Sequence, residues 1–151
     1  MPVETGCFTI GVFQDAEWAT RGLAALAAHG FAAESISVLA RDGADAATLV
    51  QQATGRPPER MDLPRVGPSV GAGPLLEALN GPSCDFARVG VAGAMARVGF
   101  QSHDGEIFER LVGRGGLLVA IHSEPRAADA LSVLLNYGAG NAAIGAWAGR
   151  V

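Results

Sequence analysis

The sequence predicts an α+β chain made of two βαβ halves that flank a long interruption. Three observations carry this. Apolar runs rich in β-branched and aromatic residues occur in pairs near both ends, at 7–14 and 35–40 and again at 116–122 and 141–148. Each pair encloses a stretch of helical period that stops at glycine, Gly30 in the first half and Gly138 in the second. The two ends also align when shifted by 108 residues: Ala19 falls on Ala127, Leu23 on Leu131, Leu26 on Leu134, Gly30 on Gly138, Ile36 on Ile144 and Ala40 on Ala148. The coincidences sit on the core face of the helix, its stop and the strand that follows, which reads as an internal structural repeat.

Two βαβ units of this size make a ferredoxin-like sheet with both helices on one face. The chain is accordingly read as a single domain, 1–151, with a βαβ unit at 7–40, an insertion at 41–115 and a second βαβ unit at 116–148. Right-handed crossovers are expected to set the two first strands side by side and parallel in the centre. The apolar helices of the insertion must then cover the open face of the sheet, or meet the same segment of a partner subunit.

In the first half, Asp15 is placed to cap a helix over 16–28, because a short carboxylate accepts from the free amides of the first turn. A short helix is expected over 44–54. Pro57, Pro58, Pro64 and Pro68, set among Gly55, Gly67, Gly71 and Gly73, make 55–73 read as a loop or linker. The type of 74–79 is open. Ser83 is placed to cap a helix over 84–98 and Ser102 another, whose apolar side carries Ile107, Phe108, Leu111 and Val112. In the second half Ser123 takes the N-cap position, with Glu124 and Pro125 suiting a first turn before a helix over 127–137.

Composition excludes several classes of function. The hydrophobic fraction of 49% against 17% charged residues is that of a folded chain and not a disordered one. The net charge of −4 argues against nucleic acid as a partner. All 11 cations are arginine, so a Schiff-base lysine and a P-loop lysine are ruled out. Mean hydropathy is positive, +0.26, but alanine and glycine account for it: the run 89–100 is broken by Arg97, and a membrane span needs about 20 apolar residues. No basic stretch followed by an apolar one opens the chain, and Cys7 and Cys84 fall in no CxxC or zinc spacing, so a cytoplasmic location with two lone thiols is expected.

Several segments together resemble the YflT-type heat-induced stress protein family. They are Ile10-Gly-Val-Phe-Gln-Asp15, Ala28-His-Gly-Phe31, Ile36-Ser-Val-Leu-Ala-Arg41, Gly71-Ala-Gly-Pro-Leu75 and Gly115-Gly-Leu-Leu-Val-Ala120. The resemblance covers about two-thirds of the chain and implies a bacterial, stress-associated protein. It brings no catalytic residues to carry over. The longer Gly-rich apolar stretch often held mid-chain by members is broken here by Pro74, Asn80, Pro82 and Asp85, which argues against a membrane-associated role.

Candidate chemistry is sparse. His103, Asp104, Glu106 and Glu109 crowd one helix start with metal-compatible spacing, yet a polar first turn placed for the helix dipole accounts for them. Cys84 has no base nearby in sequence, and Asp85 would raise its pKa. The glycines of 71–73 and 113–116 lack the strand-to-helix setting of a phosphate loop. Trp18 and Trp147 are read as core or interface residues. One site follows from the repeat. If the two first strands lie parallel, Gln14 and Asp15 meet His122 and Ser123 at one sheet edge, where paired helix N-termini attract an anion and His122 serves as a switch or ligand donor. No metal or cofactor is expected. The leading expectation is a non-enzymatic stress-associated protein acting by self-association, as a homodimer or other homo-oligomer, or by partner binding. A sensory module for a small molecule or anion is the alternative, and a small enzyme with an unrecognised pocket the third.

Overall fold

A computed structural model describes residues 6–79, 86–97, 100, 102–122, 127–138 and 140–147. The first half runs β1 (Gly6–Phe13), α1 (Ala16–Ala28), a single 3-10 turn at Ala33–Ser35 and β2 (Ile36–Arg41). The middle supplies α2 (Ala44–Thr54), β3 (Glu59–Leu63), β4 (Gly67–Ala72), α3 (Pro74–Leu79), α4 (Phe86–Arg97) and α5 (Ser102–Gly113). The second half is β5 (Leu117–His122), α6 (Ala127–Asn136) and β6 (Gly140–Trp147). This is a mixed α+β architecture around one antiparallel sheet in the order β3-β4-β2-β5-β1-β6.

The first strands of the two halves do lie abreast, but of the two only β5 is central; β1 stands one place in from the β6 edge, and the two are antiparallel, not side by side and parallel in the centre as the sequence led us to expect. Phe8 faces His122 and Phe13 faces Leu117 across the pair. The expected orientation rested on right-handed crossovers, which relate the two strands within each half and not one half to the other. Instead β5 inserts between β1 and β2 and opposes both, so that β1 and β2 point the same way with β5 reversed between them.

Both faces of the sheet are covered. Even-numbered residues of β1 and β5, Phe8, Ile10, Val12, Leu118 and Ala120, pack with Leu39 against Leu75, Leu76, Val91, Met95, Phe108 and Val112 of the middle segment. On the opposite face Phe13, Val38, Val119 and Ile121 pack against Leu23 and Leu26 of α1, Val50 of α2 and Leu134 of α6. This is why β2 and β5 read as largely apolar runs without alternation: up to Arg41 and His122 at their ends, every residue of both strands is buried. Each fully buried Leu or Phe contributes about 1.5–3 kcal/mol to such a core.

Helix ends follow local chemistry. Asp15 caps α1 as expected, its Oδ1 accepting from Trp18 N–H at 2.9 Å. Both predicted glycine stops, Gly30 and Gly138, take left-handed φ values of 85° and 89°. The segment 55–73 is not a linker. It holds the hairpin of β3 and β4, closed by a turn in which Val66 N–H donates to Leu63 O at 3.3 Å and Arg65 takes φ 68°. Pro64 at the second position of that turn favours it, and Pro68 sits at the strand's start, where a missing N–H is tolerated. The stretch 74–79 is a helix that opens on proline at its first position. Ser83, Cys84 and Ser123, assigned capping or thiol roles above, lie outside the described residues.

Candidate functional site

Because β1 and β2 run the same way, α1 and α2, which follow them, begin at one edge of the sheet. The turn between α5 and β5, Arg114 to Gly116, meets them there. Three cavities surround this turn. One of about 430 Å³ lies between the starts of α1 and α2 and is lined by Asp15, Arg41, Asp42, Asp45 and Gly115. A second, about 290 Å³, holds Gln14, Arg114, Gly116 and Gly138. The third, about 540 Å³, lies between the β3–β4 turn and the last turns of α5, lined by Arg65, Glu106, Glu109, Arg110 and Arg114. Arg41 links the first region to the third, its Nη1 donating to Gly113 O at 3.5 Å.

The four residues assigned to an anion edge do not converge. Gln14 and Asp15 sit at the edge just described. His122 is at the other end of the sheet, opposite the start of β1 and about 20 Å from Gln14 along the strands. Its ring stacks on Phe8, centroids 4.8 Å apart and planes at 24°. Ser123 lies outside the described residues. Paired helix N-termini do exist, but they belong to α1 and α2, not to α1 and α6. Their charge is met internally: Asp15 caps α1, and Asp42 and Asp45 flank the start of α2, with Asp42 also bonded to Arg60 Nε at 3.2 Å. Three carboxylates around one cavity repel an anion. Among the described residues no group of His, Cys, Asp or Glu could hold a metal ion; the cluster at the start of α5 separates, with His103 exposed and Glu109 buried.

Glu109 is the organising group of the third cavity. It is 6% exposed, and both of its oxygens are used. Oε2 accepts from Ala92 N–H at 3.2 Å, and Oε1 from Arg65 Nη1 at 3.3 Å. The Ala92 amide is free because α4 breaks at Gly90, with φ 79° and ψ −176°, so that a new helical turn starts there. Glu109 therefore caps the second part of α4 from the neighbouring helix. The φ of Gly90 favours glycine, and a Cβ there would come within 2.9 Å of Glu109 Oε2 and push that carboxylate aside. Arg65 holds its left-handed φ without glycine's freedom, at a cost of about 1–2 kcal/mol.

The arginines divide unevenly. Arg21 pairs with Glu17, Arg60 with Asp42 and Arg65 with Glu109; Arg41 bonds Gly113 O, and Arg56 and Arg88 are engaged as well. Of the arginines whose side chains are described, Arg110 and Arg114 alone make no side-chain bond within the described residues. Both line the third cavity. The spacing Arg110-x-x-x-Arg114 is visible in the sequence once the helix is placed. Arg65 gives no such signal, because its turn reads as linker.

On the face of α1 and α2 remote from these cavities, an apolar hollow of about 280 Å³ is lined by Leu23, Ala27, Phe31, Ile36, Leu49 and Ala53. No helix of the described residues is long and apolar enough to cross a membrane. No family model, curated protein or solved structure matches the chain.

Proposed function

We propose that this chain is a non-enzymatic, stress-associated module that acts by self-association, pairing the free edge of β6 with the same strand of a second copy. The supporting observation is the contrast between the two sheet edges. β3 is guarded: Glu59, Arg60 and Asp62 lie within its five residues, and Pro57, Pro58 and Pro64 flank it. β6 runs eight residues, Gly-Asn-Ala-Ala-Ile-Gly-Ala-Trp, without a charge or a proline, and among the described strands it pairs with β1 alone. Antiparallel pairing about a two-fold axis sets such a strand against its own reverse. An uncharged strand meets no like-charge penalty there, and the product is a single sheet of twice the width. The sheet faces, the other route to association that the sequence suggested, are already filled by helices.

Two further attributes belong to this reading. The strands β6-β1-β5-β2 with α1 and α6 are inferred to be a ferredoxin-like core from two βαβ repeats, supported by their order and by matched helix stops at Gly30 and Gly138. The stress association rests on the resemblance of the segments around Ile10–Asp15 and Ile36–Arg41 to the YflT-type family. Light scattering coupled to size-exclusion chromatography tests the central claim. A dimer mass that falls on dilution is expected; a monomer throughout the accessible concentration range refutes it.

A further inference from the structure

We propose that the groove between the β3–β4 turn and the end of α5 is a binding site for a small molecule that carries a phosphoryl or carboxylate group together with a hydroxyl or amine donor. The groove gathers three guanidiniums, from Arg65, Arg110 and Arg114, in a chain whose net charge is −4. Arg110 lies in the last turn of α5 and Arg114 just past its end, where its N–H still donates to Arg110 O at 3.1 Å, so the two stand one helical turn apart, the separation at which neighbouring side chains reach a common partner. Each presents a planar fork of donors matched to paired oxygens, and neither meets a carboxylate among the described residues.

The last turn of α5 favours cations through its unpaired carbonyls, which accounts for arginines in this place. It does not account for Arg65, which reaches the same groove from another element through a backbone conformation that L-residues rarely adopt. The two carboxylates divide their work. Glu109 is committed to Arg65 and to the Ala92 amide, so it holds the wall. Glu106 is exposed, lines the groove and has no side-chain bond among the described residues, which leaves it to accept from a ligand O–H or N–H. A volume of about 540 Å³ exceeds what a bare phosphate fills and falls within the range of small-ligand sites.

Isothermal titration calorimetry of the intact protein with inorganic phosphate, phosphoethanolamine and citrate tests this and separates phosphoryl from carboxylate chemistry. Saturable binding of at least one probe is expected, weakening as salt is raised. Arg110→Ala/Arg114→Ala should weaken it by at least about tenfold. Glu106→Gln should weaken phosphoethanolamine binding while inorganic phosphate binds no more weakly, since a repelling carboxylate is removed. Arg110→Gln and Arg114→Gln, singly, keep the side-chain bulk and should each weaken binding with an unchanged circular dichroism spectrum. No saturable heat with any probe, or equal affinity in the double variant, overturns the proposal. The arginine variants should leave the mass seen by light scattering unchanged, so this result and that for the β6 edge are read separately.

Discussion

Thr9 lies at 0% exposure in β1, and its hydroxyl has no hydrogen-bond partner among the described residues. Its neighbours across the sheet are Ile121 and Ile144. A buried hydroxyl without a partner forfeits its hydration for nothing in return, so Thr9→Val should raise stability by about 1 kcal/mol, measured as the shift in urea midpoint. Glu109 is the opposite case. Both of its oxygens are engaged, and Glu109→Ala leaves the part-buried Ala92 amide without its acceptor. A loss of about 1–3 kcal/mol is expected, visible as a fall in Tm of about 2–4 °C for each kcal/mol. The sequence showed Glu109 only as one carboxylate in a polar helix start. What it does depends on Gly90 and Arg65, 19 and 44 residues away, and no local pattern reports such a meeting.

At the scale of elements, α3 shows how a short helix is held by a strand. Gly73 precedes it and has no side chain to cap with. Ser37 of β2 supplies the cap instead, its Oγ accepting from Leu75 N–H at 2.9 Å. Gly73 has φ 122°, and a Cβ there would press on Ser37 and on Ile36 O. Ser37→Ala should therefore cost about 1–2 kcal/mol in chemical denaturation. The long elements were legible because each carries its own signal: α1 spans the 16–28 read from its period, its Asp15 cap and its glycine stop. The hairpin of β3 and β4 was not. Four prolines and four glycines suggested an unordered crossing, whereas Pro64 closes a turn, Pro68 sits at the start of β4, and Pro57 and Pro58 precede the edge strand β3. The direction of β5 was also misread, because a repeat in sequence fixes which strands correspond and not how the second half is laid against the first.

For the whole molecule, the two sheet edges make the sharpest contrast. One is charged and flanked by proline; the other is plain. A lysine on an edge strand opposes pairing with another chain. Asn141→Lys at the start of β6 should shift the assembly toward monomer at fixed concentration, by light scattering, with circular dichroism unchanged. The misplaced anion edge belongs to this scale too. Gln14 and Asp15 stand where the sequence put them, at the end of β1, but reversal of β5 carries His122 to the far side of the sheet. The groove of Arg65, Arg110 and Arg114 needed the hairpin and α5 to be folded together before it existed.

The segment 41–115 does more than join two halves. Leu75, Leu76, Val91, Met95, Phe108 and Val112 press on Phe8, Ile10, Val12, Leu118 and Ala120, filling the side of the sheet that α1 and α6 leave bare. A shortened chain, with that segment replaced by a tight turn, would present a greasy slab to solvent and would need a twin to shield it. The long interruption is thus a built-in substitute for a subunit, and the halves owe their solitude on that side to it.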